Sequence, residues 1–111
     1  MKRIILIAAL SAGLTFQNAS AVYNNNISGQ LDSVLSYAEH DVILLRLKNQ
    51  PTHPLCNSQY FAIPDTVPAD RRKLMFARLS LAYAMKESVN IGYDSTGDCA
   101  HGYMRVHRVG E

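Results

Sequence analysis

The apolar positions of this chain change their spacing along its length, and each change marks a boundary. Ile4 to Leu10 form an unbroken apolar run that fades through Phe16, preceded by Lys2 and Arg3 and followed by Ala19-Ser20-Ala21. A positive end, a short apolar core and a small-x-small pattern make a secretory signal, expected over residues 1–21. The run is too short to cross a hydrocarbon layer of ~30 Å. A buried N-terminal helix is the competing reading. No cysteine sits near the cleavage point, so a lipoprotein anchor is not indicated, and no second apolar run follows. Residues 22–111 are therefore expected to be one exported domain with no membrane span.

Beyond the signal the period shortens to two. Val22 to Asn26 reads as a flexible lead-in. From Gln30 to Tyr37, Leu31, Ser33, Leu35 and Tyr37 fall on one side, a mostly alternating strand with a bulge expected near Val34-Leu35. After a polar turn, Ala38 to Asp41, comes the β-branched and leucine-rich strand Val42 to Leu47. Pro51 and Pro54 make a loop of residues 48–57, and Gln59 to Ile63 gives a third strand. The period then lengthens. Pro68 to Glu87 contain no glycine and no internal proline, with Pro68 suited to a first helical turn and Thr66 or Asp65 placed to cap it. Leu74, Ala77, Leu81, Ala84 and Met85 recur at helical spacing, flanked by Met75, Leu79 and Ala82, a wide apolar stripe on an otherwise basic helix. Val89, Ile91 and Tyr93 alternate as a fourth strand. Asp94 to Gly102 is turn chemistry throughout, and Tyr103 to Val109 alternate as a fifth strand.

Three strands, a helix and two strands in one small chain predict a mainly β (β+α) fold. The expected form is a five-stranded OB-fold-like barrel of order β-β-β-α-β-β with one long helix. An open α+β sandwich is the alternative. The stretch Leu74 to Tyr93 resembles the helix, turn and strand of the binding subunits of AB5 toxins, closest to the subtilase-cytotoxin B-subunit branch. That resemblance implies an OB fold braced by a disulfide and a ring-forming, glycan-binding protein. It further implies a pentamer with helices lining the centre and a toxin A-type subunit as partner.

Charge changes the picture once the signal is set aside. The precursor carries eleven basic and nine acidic residues; removing Lys2 and Arg3 leaves nine of each. Five cations (Arg71, Arg72, Lys73, Arg78, Lys86) against Asp70 and Glu87 make the helical segment net +3, and the rest of the mature chain net −3. Neutrality and export speak against nucleic acid, which requires a basic groove lined with aromatics. Cys56 and Cys99 are the only cysteines, and an even count after a signal reads as a disulfide in an oxidising compartment, periplasmic or extracellular.

That bond bears on the candidate chemistry. His40-Asp41 beside a cysteine would suggest a Cys–His nucleophile, but a disulfide removes the thiolate it needs. His101, His107, Asp94 and Asp98 lack the spacing of a zinc site. Asp94 to Asp98 echo a calcium loop without its terminal Glu. Glu39 and Asp41 read as solvated turn residues. No phosphate-cradling glycine motif occurs, so neither cofactor nor metal is expected and the domain reads as non-enzymatic. Sugar binding needs only an aromatic face and fixed polar groups. Tyr23, Tyr37 and Tyr60 offer faces. The densest polar-aromatic patch is Tyr93, Asp94, Ser95, Thr96, Asp98, His101 and Tyr103, the expected ligand site; the competing reading is that the tyrosines cap the barrel core with their hydroxyls in water. The expected function is a secreted carbohydrate-binding module; the alternative is a protein-interaction or inhibitor module without sugar affinity.

Overall fold

The computed structural model describes residues 23–111; the signal peptide expected over residues 1–21 lies outside the described residues. The strands are β1 (Asn25–Ser36), β2 (Ile43–Leu47), β3 (Asn57–Ile63), β4 (Ser88–Tyr93), β5 (Cys99–Ala100) and β6 (Tyr103–Gly110), with helix α1 (Ala69–Met85) between β3 and β4. The ladder runs β3-β2-β1-β4-β6, and a parallel pairing of β3 with β6 closes it into a five-stranded barrel. The two-residue β5 is an extra strand paired with the start of β6. The OB-fold-like order is as the periodicity predicts. Closure removes the free edges that such short strands would otherwise expose.

β1 makes the closure possible by belonging to both halves of the barrel. Asn25–Gln30 pair with β4, and Leu31–Ser36 pair with β2. The strand thus starts inside the segment read as a flexible lead-in, because backbone pairing to β4 compensates for the low strand propensity of Asn25 and Asn26. The bulge lies between Leu31 and Ser33, earlier than expected. One extra residue there swaps the inward parity: Ile27 and Leu31 face the core before it, Val34 after it. Leu35 consequently joins a small outer cluster with Leu44, Ala62, Ala100, Tyr60 and Tyr103. Near the crossover the side chain of Asn49 occupies the space a Cβ at Gly29 would need, and its Nδ2 donates to the Ser28 carbonyl at 2.9 Å.

Inside the barrel, Leu45, Leu47, Phe61, Ile63, Ile91 and Met104 are fully buried. Each such side chain contributes about 1.5–3 kcal/mol relative to exposure. Cys56 and Cys99 form a disulfide with Cα atoms 5.6 Å apart, joining the start of β3 to β5. Closing its 43-residue separation restricts the unfolded chain by about 4 kcal/mol.

α1 sits against β1 with Leu79 and Ala82 buried and Met75 and Phe76 packed onto the core. Only the flanking part of the wide apolar stripe, Met75, Leu79 and Ala82, is turned inward. Leu74, Ala77, Leu81, Ala84 and Met85 face solvent, with Leu74 64% and Leu81 61% exposed. The helix carries apolar residues on two faces, and the bulkier Phe76–Leu79 side fits the barrel. Its N-cap is Pro68 without a side-chain cap, so neither Thr66 nor Asp65 plays that part. It ends where Lys86 turns left-handed (φ 57°), and Glu87 N–H donates to the Ala82 carbonyl at 3.0 Å.

Candidate functional site

The turn singled out by its polar and aromatic density is largely occupied with itself. Tyr93 continues the inward alternation of Val89 and Ile91 and is 3% exposed. Its ring meets Phe61 edge-on at 5.1 Å, and its hydroxyl accepts a hydrogen bond from Asn25 Nδ2 at 3.3 Å. It is a core residue and offers no face to a ligand, which overturns the ligand reading of Tyr93 and agrees with the core-capping one. Asp94 Oδ1 accepts from the backbone N–H of Thr96 at 3.1 Å, an Asx turn. Ser95 donates through both its backbone N–H and its hydroxyl to Asn24 Oδ1. Asp98 pairs with Arg105 at 3.1 Å. Tyr103 packs edge-on against Tyr60 in the outer cluster.

His53, a residue the sequence reading passed over, ties this turn to the disulfide. Its Nδ1 accepts from the backbone N–H groups of Leu55 and Cys56, both at 3.0 Å. Nε2 is therefore the protonated nitrogen and donates to the Asp94 carbonyl at 3.1 Å. Nearby, His107 stacks on Tyr23 with centroids 5.6 Å apart. Burial, reinforced by Arg105, lowers its pKa below the usual 6.5, while Asp98 and Asp94 oppose the shift. Among the described residues no three His, Cys, Asp or Glu side chains gather as a metal ligand set.

His101 departs from the rest of its turn. It adopts a left-handed backbone (φ 53°) and places Nε2 3.5 Å from Asp65. Those two residues line a hollow of about 330 Å³ together with Glu39, His40, Asp41 and Val42 of the β1–β2 turn. A second hollow, about 350 Å³, opens from the other side of that turn. Tyr37 and His40 form one wall, Arg72 and Lys73 of α1 the other, and Phe76 contributes to the lining. The two share His40, Asp41 and Val42, the turn that lies between them, and the hollow between that turn and α1 is a groove at the end of the barrel.

The groove is held open by Arg72. Its Nε donates to the Val67 carbonyl at 2.9 Å and Nη1 to the Asp41 carbonyl at 3.0 Å, with the Asp41 carboxylate 3.7 Å away. These bonds fix the β1–β2 turn against the first turns of the helix. Tyr37 meanwhile stands 44% exposed, and Lys73 has no ion-pair partner among the described residues. An aromatic face, a free ammonium, an imidazole and a carboxylate thus converge on one concave surface. Of the expected site residues, only His101 lines either of the two hollows, the one on the far side of the turn. The chain matches no protein-family model, no curated protein and no solved structure.

Proposed function

We propose that the mature chain is an exported, non-catalytic binding module that holds a glycan in the groove between the β1–β2 turn and α1. The observation that carries this reading is the half-exposed Tyr37 ring set among Lys73, His40 and Asp41 over an apolar base. A sugar presents C–H faces to a ring and hydroxyls to short polar side chains, and this surface supplies both. Its position supports the same reading: OB barrels take oligosaccharides at the loop after the first strand and the loop between the last two. Here the first of those loops carries Tyr37 to Asp41 and the second carries His101. Both cysteine sulfurs are bonded, which leaves no thiolate for a Cys–His reaction. The disulfide also suits an oxidising compartment.

A glycan array probed with the purified mature chain tests the proposal. Defined glycan hits that disappear in Tyr37→Ala and weaken in Lys73→Gln, with unchanged unfolding midpoints, are expected. An array without hits, or hits indifferent to Tyr37→Ala, overturns it. Capture of a protein through the groove without any glycan hit would make the domain an interaction module instead.

A further inference from the structure

The outer face of α1 has no covering element. Leu74 and Leu81 are 64% and 61% exposed and Met85 57%, at helical spacing along one side of the helix. Cations border this stripe. By helical geometry Arg71 and Arg78, seven residues apart, lie along one edge and Lys73 along the other. Lys86 follows at the C-terminal end. None of these four forms an ion pair among the described residues, whereas the inward-facing Arg72 is held by Asp41. Asp70 at the start of the helix and Glu111, which lines a shallow hollow with Leu74 and Leu81, are the carboxylates at the stripe.

The charge pattern decides among occupants. Two copies joined through this stripe would bring Arg71, Lys73 and Arg78 of one against the same cations of the other. A copy presenting another face has no matching apolar patch to offer. The other large exposed apolar side chains among the described residues are Tyr37, Leu55 and Tyr83, each at a separate place. A chain with a net +3 helix and a net −3 remainder is instead a dipole, and it turns the helix toward an anionic plane. Large apolar side chains framed by lysine and arginine are the two signals that together hold a helix at a lipid interface.

We infer that the outer face of α1 is a peripheral docking surface for an anionic lipid bilayer. Leu74, Leu81 and Met85 enter the headgroup region, and Arg71, Lys73, Arg78 and Lys86 meet lipid phosphates. No helix among the described residues is long and apolar enough to cross a membrane, so contact on this face is by surface attachment. Lys73 belongs both to the stripe's border and to the groove, so a docked domain holds the groove mouth close to the lipid surface. The inference stands on the helix face and does not depend on the groove's ligand.

Co-sedimentation of the mature chain with vesicles tests it. Vesicles of equal parts phosphatidylglycerol and phosphatidylcholine should retain the protein at least about tenfold better than phosphatidylcholine alone, and added salt should release it. Arg71→Gln with Arg78→Gln, and separately Leu74→Ser with Leu81→Ser, should each lower retention about tenfold. All four positions are exposed, and an unchanged unfolding midpoint confirms that the fold is intact. Equal retention on both vesicle types, no retention on either, or retention indifferent to both double variants overturns the inference. So does concentration-dependent self-association abolished by Leu74→Ser with Leu81→Ser in a chain that ignores vesicles.

Discussion

Two turns at the surface of this barrel hold similar side chains and use them in opposite ways. The turn from Asp94 to Asp98 has an aspartate, a serine, a threonine and a second aspartate, flanked by a tyrosine. Most of those groups bond within the turn or to its immediate neighbours. The turn from Tyr37 to Asp41 has a tyrosine, a glutamate, a histidine and an aspartate, and it leaves the tyrosine and histidine open to a groove. Polar density therefore does not locate a site. What matters is whether each group already has a partner, and that is set by the fold around the turn.

The Asp94–Asp98 turn is tied up in the fold and the Tyr37–Asp41 turn lines the proposed site, a contrast that mutations can break or sharpen. The largest effect belongs to the disulfide beside the first turn. Cys56→Ser with Cys99→Ser should cost about 4 kcal/mol in urea unfolding, and a cost under 1 kcal/mol would remove that turn's anchoring role. Arg72→Gln comes next, because it frees the second turn from α1. A loss of about 2 kcal/mol is expected, with faster amide exchange at residues 37–42. Asp94→Ala should cost about 1 kcal/mol and leave glycan binding unchanged.

Acid gives a smaller and signed effect. The folded pKa of His107 lies below 6.5, so the unfolded chain takes up the proton first as pH falls. Its contribution is intact above that value and declines as pH drops below it. Urea midpoints should therefore fall from pH 7 to pH 5, and His107→Gln should flatten that slope; a midpoint that rises under acid would contradict the shift. Tyr37→Ala sits last on the stability scale, with a change within about 0.5 kcal/mol.

The same contrast shows which parts of the fold were legible in the chain. Strands β2, β4 and β6 declared themselves through unbroken or alternating apolar residues, and their inward members Leu45, Leu47, Val89, Ile91, Met104 and Val106 are buried. Tyr93 shares the parity of Val89 and Ile91, which favours its core-capping reading over the ligand one, and it is buried. The first half of β1 was hidden because Asn25 and Asn26 are held by pairing with Gly92 and Tyr93, which lie far along the sequence. The helix was legible within two residues at each end, but the inward part of its wide apolar stripe was not separable from the rest. Leu74, Ala77 and Leu81 repeat as regularly as Met75, Phe76, Leu79 and Ala82, and periodicity alone cannot rank two stripes. The groove arises from two segments distant in sequence, residues 36–43 and 69–76, which no local pattern joins.

The placement of the disulfide bears on how quickly the barrel can form. Closure requires Asn57 to find Tyr103, a pairing between distant parts of the chain that is slow to reach by random search. Cys56 and Cys99 stand one and four residues from those partners. Once oxidised, the two strands are covalent neighbours, and the last step of barrel formation becomes a local one. An oxidised chain diluted from denaturant should regain its native signal well before a reduced chain does.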